Sequence, residues 1–331
     1  MSTGSAGHVA RSTHRLPDRP TDQPPDRPTD RPTDRSSGRR TFRSVIGPYS
    51  GTREVTRGGG PLRKFLRTED GVAIDAVYEP GVDPSSSSPS DFPSASASGS
   101  AYGSASGSGL VFVIAHGFTG EADRPHVRRV ARAFARYGGV VTFSFRGHGV
   151  SGGRSTVGDR EVLDLAAVVQ WARALGYERV ATVGFSMGGS VVLRHAAAGR
   201  EAGVDAVVSV SAPARWFYRG TAPMRRLHWL VTRPSGRLVG RYGLRTRIHH
   251  RRWDPVPLSP VEAVPRIAPT PLLIVHGDRD GYFPLDHPRM LAAAAGEHGE
   301  LWVEAGMGHA ENAAPEPLLG RIGDWVVARA G

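Results

Sequence analysis

The stretch Val180-Ala181-Thr182-Val183-Gly184-Phe185-Ser186-Met187-Gly188-Gly189 decides how this chain is read. Its apolar first half, 180–184, reads as a strand, and the small residues of 187–198 read as a helix. Between them sits Gly-x-Ser-x-Gly. A serine on so tight a strand-to-helix turn projects its hydroxyl above the sheet. Glycines at 184 and 188 remove side chains that would collide across that turn. The five-residue pattern alone is common by chance; the strand before it and the helix after it give it weight.

Outward from this turn the chain alternates strands and helices. Residues 110–115 form a continuous apolar run ending in His116-Gly117, which reads as a strand buried on both faces. A basic amphipathic helix follows over 124–137 and a strand over 140–145. The next helix spans 159–175, with Asp159 as its cap and Val162, Leu165, Ala166 and Val169 on one face. Strands are expected at 204–210, 272–276 and 301–304, and a closing helix at 317–330. Ahead of all this, 62–67 and 72–78 alternate apolar and polar residues around a Glu69-Asp70-Gly71 turn, as a hairpin does. Repeated strand–helix units imply a mostly parallel sheet covered on both faces, an α/β fold.

Three segments stand apart. Residues 1–60 include repeated Asp-Arg-Pro-Thr units, in which prolines deny helix bonds and little can be buried, so a disordered coil is expected. Residues 83–109 are almost all Ser, Ala, Gly and Pro and read as a low-complexity insertion between two strands. Residues 212–257 carry eleven arginines against Asp254 alone, interleaved with aromatics such as Trp216, Phe217 and Trp229. That mixture reads as a small basic helical excursion over the sheet, with the folded domain spanning 61–331.

Composition narrows the classes. The 331 residues carry a net charge of +11, 39% are hydrophobic, and Lys64 is the only lysine. The absence of cysteine excludes disulfide scaffolds, thiol nucleophiles and cysteine-ligated zinc. No run reaches the ~18–20 apolar residues of a spanning helix, and no secretory signal opens the chain, so a soluble cytoplasmic protein is expected. His249-His250 lack a third ligand, which argues against a metal site. The arginine-rich excursion reads first as a solvated segment of a chain that uses arginine throughout; the functional alternative is attraction of an anionic substrate or an anionic membrane surface. No recognised nucleic-acid motif accompanies the charge, so no nucleic-acid partner is expected.

Further motifs close other strands: His116-Gly117-Phe118-Thr119-Gly120, Arg146-Gly147-His148-Gly149-Val150-Ser151-Gly152, His276-Gly277-Asp278-Arg279-Asp280, and Gly306-Met307-Gly308-His309. With the Ser186 turn, and in this order, they make the chain resemble the α/β-hydrolase superfamily over about 62–330. Within it, the chain is similar to serine hydrolases described as esterases, lysophospholipases or monoacylglycerol lipases. The resemblance implies the α/β-hydrolase fold, with 212–257 as a basic lid.

A serine hydroxyl is a poor nucleophile and needs a base, and the base needs an orienting acid. In this fold the acid and then the histidine follow the serine along the chain. Asp280 and His309 satisfy that order. Asp278, two residues earlier in the same loop, is the rival acid, and the family pattern Gly-x-x-Asp counted from Gly277 favours Asp280. His298 also follows the acid, but it precedes the last strand. The resemblance places the two oxyanion donors at the backbone N–H groups of Phe118 and Met187. His116 and His148 precede Ser186 and are expected to buttress loops, and His195 to be packed or at the rim. Ser144 stands where many relatives carry Asp, a departure in a structural loop.

The implied activity is hydrolysis of a small-molecule carboxylic ester through an acyl-enzyme, without metal or organic cofactor. Thioesterase, amidase or peptidase and acyltransferase chemistry use the same triad. A non-catalytic binding protein on this scaffold is the reading from another class.

Overall fold

The computed structural model describes residues 61–81 and 109–331. The coil expected over 1–60 lies outside the described residues, as does the 83–109 insertion apart from Gly109. Eight strands form one sheet: β1 (Leu62–Arg67), β2 (Ala73–Glu79), β3 (Leu110–Ala115), β4 (Gly139–Phe143), β5 (Arg179–Phe185), β6 (Ala206–Val210), β7 (Leu272–Gly277) and β8 (Gly299–Glu304). Their spatial order is β1-β2-β4-β3-β5-β6-β7-β8. The β1–β2 and β2–β4 pairs are antiparallel, and every pair from β4 to β8 is parallel.

The continuous apolar runs are explained by side-chain alternation. On β3, Val111, Val113 and Ala115 face one core; Leu110, Phe112 and Ile114 face the other. The first core is closed by α2 (Glu161–Ala174), α3 (Met187–Ala196) and α7 (Asp286–Ala295), through Leu165, Val168, Val192 and Leu291. The second is closed by α1 (Pro125–Phe134) and α9 (Glu316–Arg329), through Val130, Phe134, Leu319 and Ile322. Phe112 stacks on Phe134 with centroids 4.8 Å apart.

The order of strands locates the site. From β3 the chain moves outward to β4, then crosses back past β3 to β5, so the crossovers diverge between β3 and β5. In open parallel sheets ligands bind at the carboxyl ends of the strands, where this reversal opens a crevice. His116-Gly117 leaves β3 there, and Ser186 leaves β5 beside it, with Ala115 paired to Gly184.

Some expectations shift in detail. Helix α2 begins at Glu161 with Arg160 at its N-cap, and Asp159 caps nothing. Glu161 takes over the turn instead, accepting the N–H groups of Thr156, Val157 and Gly158 at 2.8, 3.1 and 3.0 Å. The buried stripe of α2 runs through Asp164, Leu165, Val168, Val169 and Ala172, leaving Val162 and Ala166 only half-buried. Asp164 tolerates that position because Arg146 Nε donates to it at 2.9 Å. Strand β4 stops at Phe143, where Ser144 turns its N–H to Asp75 of β2. Helix α7 carries an Ala292–Ala295 run, which favours a helix, and ends at Ala295, before His298.

The excursion contains two helices, α4 (Ala222–Thr232) and α5 (Pro234–Gly243). Beyond them the chain pins itself to the loop after β4: Ser155 pairs with Ile248, and Trp253 Nε1 donates to Thr156 O at 2.7 Å. Two short helices, α6 (Pro260–Ala263) and α8 (Ala310–Ala313), complete the fold. No helix among the described residues is long and apolar enough to cross a membrane.

Candidate active site

Ser186 holds φ 51° and ψ −112°, a backbone conformation that non-glycine residues avoid. The turn is held from both sides, by Ser186 N–H donating to Val210 O at 2.9 Å and Ser190 N–H donating to Ser186 O at 3.1 Å. A side chain at Gly184 would run into the backbone of Gly188, and one at Gly188 into the Ala115 carbonyl. Both glycines are therefore required by close approach of backbone. The side chain of Ser186 opens into a cavity of about 570 Å³, also lined by Phe118, Met187, Trp216 and Phe283.

His309 stands over the serine. It lies in the loop after β8 and serves as N-cap of α8; its Nε2 is 2.9 Å from Ser186 Oγ and its Nδ1 is 2.8 Å from Asp280 Oδ2. The Asp280 side chain is fully buried. Its other oxygen accepts the N–H groups of Tyr282 and Phe283 at 2.8 and 3.1 Å. Burial raises the Asp280 pKa, but the His309 hydrogen bond and these two N–H groups outweigh it, holding the carboxyl below the usual carboxylate range. The geometry therefore favours the tautomer with the proton on Nδ1 and the lone pair of Nε2 facing the serine hydroxyl. Tyr282 stacks on the imidazole at 4.2 Å between centroids and steadies its plane.

Asp278, the rival acid, is exposed and turned the other way, accepting the N–H of Gly306 at 2.6 Å. His298 borders a separate cavity of about 410 Å³ with Pro271 and Trp325, near the amino ends of the strands.

Met187 is the first residue of α3, where helix geometry leaves its N–H without an intrahelical acceptor. Phe118 sits in the tight turn closed by Gly120 N–H donating to Gly117 O at 2.9 Å. Thr119 in that turn takes φ 68°.

His116 is fully buried and joins two loops: Nε2 accepts the Phe145 N–H at 3.1 Å, while Nδ1 bonds Gly117 O at 2.7 Å. Burial holds its pKa down to about 3, so it is neutral. His148 bonds Arg146 O at 3.0 Å and is likewise depressed by burial, to about 4. His195 is buried on α3, away from any hydrogen-bond partner at Nδ1. His249 and His250 stack on each other at 5.0 Å in the wall of the Ser186 cavity. Ser144 accepts the Ala122 N–H at 3.0 Å, so the position lacking an acid still ties two loops together.

One residue was missed by sequence reasoning. Glu311, buried on α8, accepts the Gly117 N–H at 2.9 Å. Its only sequence signal is its place two residues beyond His309.

The fold agrees with what known proteins show. The model of the alpha/beta hydrolase family matches residues 110–320. A monoacylglycerol lipase of Mycolicibacterium smegmatis is 27% identical over 256 residues, covering 66% of this chain and 88% of that protein. An esterase of Pyrococcus furiosus superposes with a TM-score of 0.60 at 22% identity, covering 87% of this chain and 98% of the other. The alpha/beta hydrolase GrgF of a Penicillium species superposes with a TM-score of 0.59 at 18% identity, over 82% and 99% of the two chains.

The chain belongs to the alpha/beta hydrolase family. The esterase- and lipase-like resemblance carried by its motifs is matched by these relatives.

Proposed function

We propose that the protein is a serine hydrolase that cleaves carboxylic esters through an acyl-enzyme. The observation that carries the reading is His309 spanning Ser186 and Asp280 at 2.9 and 2.8 Å. His309 Nε2 accepts the Ser186 proton as Oγ attacks the ester carbonyl, and Asp280 stabilises the imidazolium that forms. The oxyanion of the tetrahedral intermediate is received by the N–H groups of Phe118 and Met187. His309 then protonates the departing alkoxide, activates a water against the acyl-enzyme, and returns the proton to Ser186.

In this reading the catalytic domain spans 61–331 and the 212–257 segment acts as a lid over the cavity. A lipid-derived monoester, of the acylglycerol or lysophospholipid type, is the substrate class. Supporting that class are the mycobacterial relative, named a monoacylglycerol lipase, and a cavity within the ~300–1,000 Å³ that holds ligands of drug size.

A fluorophosphonate probe tests the chemistry. Intact protein should be labelled at Ser186, and Ser186→Ala should be neither labelled nor active while still folded. Turnover of matched ester, thioester and anilide substrates then ranks the leaving groups. A preference for the thioester or anilide would replace the ester reading, and folded wild-type protein that resists the probe would overturn it.

A further inference from the structure

The wall of the Ser186 cavity has an unusual charge. It includes Arg215, Arg219, Arg237, Arg251 and Arg252, and neither Asp nor Glu. Elsewhere on the described chain, arginines are widely matched to carboxylates: Arg63 with Asp75, Arg128 with Glu79, Arg173 with Asp205, Arg321 with Glu304 and Arg329 with Glu300. Within the excursion only Arg215 and Arg245 reach a carboxylate, those of Asp286 and Glu121, among the described residues. Arg219, Arg251 and Arg252 are exposed and have no carboxylate partner among the described residues. Like charges gathered on one wall repel each other, and an anion in the cavity relieves that repulsion.

The opposite character is present in the same wall. Trp216 and Trp253 pack edge to face at 5.1 Å, and Phe217 lies 5.5 Å from Trp253. Both indoles have satisfied their polar atoms, Trp216 Nε1 on Pro257 O at 3.0 Å and Trp253 Nε1 on Thr156 O at 2.7 Å. They offer the cavity apolar ring surface only. His228 and His249 are held below their usual range, by burial first, with the charge of Arg219 adding to it at His228. The guanidinium groups of the wall hold their positive charge across the working pH range.

We infer that the ester bound here carries an anionic group, a carboxylate or a phosphate, received by Arg219, Arg251 and Arg252 while its apolar part lies along the Trp216–Trp253 surface. The inference rests on the ester-hydrolase reading and narrows it. Guanidinium groups suit both anions, because their paired donors match two oxygens of either.

The test compares matched esters below their micelle concentrations. On the acyl side, mono-4-nitrophenyl adipate is set against 4-nitrophenyl hexanoate; on the alcohol side, lauroyl glycerol 3-phosphate against monolauroylglycerol. At low salt, kcat/KM should favour the anionic member of at least one pair by about tenfold or more. Whichever pair shows it identifies the end of the ester that bears the charge. The preference should shrink as salt is raised from about 20 mM to 0.5 M, since exposed charges are screened. Arg251→Ala with Arg252→Ala should collapse the anionic-to-neutral ratio. Arg226→Ala with Arg233→Ala removes the same two charges from the excursion outside the cavity wall and should preserve it.

Equal turnover within both pairs, or a preference for the neutral member, overturns the inference and leaves the ester-hydrolase reading intact. A ratio lost equally in both double variants also overturns it, in favour of a diffuse field. A preference that appears only with anionic vesicles assigns the arginines to a membrane surface. Failure to turn over any ester, with no probe labelling of Ser186, removes both readings together.

Discussion

The Glu311 carboxylate accepts the backbone N–H of Gly117 at 2.9 Å, joining residues 194 positions apart in the chain. Gly117 precedes Phe118 in the turn after β3, and Glu311 lies two residues after His309. The contact thus couples the loop that presents Phe118 to the loop that presents the imidazole. Glu311→Ala leaves the buried Gly117 N–H without an acceptor, at a cost of ~1–3 kcal/mol, and frees the turn. We expect kcat to fall about tenfold or more with KM little changed. Glu311→Gln, which keeps a carbonyl acceptor, should recover most of the loss. Steady-state kinetics on one chromogenic ester decides it; an Ala variant with wild-type kcat would dissociate the contact from catalysis.

The two aspartates of the β7 loop make different contacts and should respond differently. Asp280 bonds His309, whereas Asp278 accepts Gly306 N–H. In the proposed mechanism Asp280→Asn removes the charge opposite the imidazolium; with the amide carbonyl held by the Tyr282 and Phe283 N–H groups, its NH2 faces His309 Nδ1 and favours the wrong tautomer, and kcat should fall by about 10³–10⁴. Asp278→Asn retains a carbonyl for Gly306 and should stay within about threefold of wild type. Equal losses in the two variants would contradict the geometry.

The glycines around Ser186 respond to volume. At Gly188 an added methyl meets the Ala115 carbonyl, which is held in the β3–β5 ladder and cannot retreat. Gly188→Ala should lower stability by ~1–3 kcal/mol and abolish labelling of Ser186 by the fluorophosphonate probe. Gly281, whose added methyl would meet nothing within 4 Å, provides the contrasting site: Gly281→Ala should leave the melting temperature nearly unchanged.

Acid should unfold the protein through its buried imidazoles. Burial lowers His116 to about 3, and His148, His195 and His287 each to about 4. Unfolded, these rings bind protons near the ordinary ~6.5. Folded pKa values lie below unfolded ones, so the unfolded state holds more protons between the two. Stability is therefore complete above about pH 6.5 and falls as pH drops toward 4. Each histidine kept neutral contributes a slope of at most about 1.4 kcal/mol per pH unit. His195→Gln should remove one such contribution, seen as a shallower fall in unfolding free energy between about pH 6 and 4.5. An unchanged slope would mean that His195 takes up its proton without unfolding.

What the amino-acid order determined by itself is local. Continuous apolar runs specified the central strands, because a strand packed on both faces must be apolar at every position, as 110–115 is. The Gly184, Ser186 and Gly188 spacing specified the turn, since only glycines admit backbone approaching so closely there. The start of α2 was less legible: Asp159 is a good cap in isolation, but Glu161 binds three N–H groups of the preceding turn and moves the first helical residue past it. Tertiary structure decided what depends on residues distant in sequence. It set Glu311 against Gly117 and chose which arginines of 212–257 face the cavity. A side chain's direction follows from the packing of whole elements against one another, and no spacing within a short stretch records it.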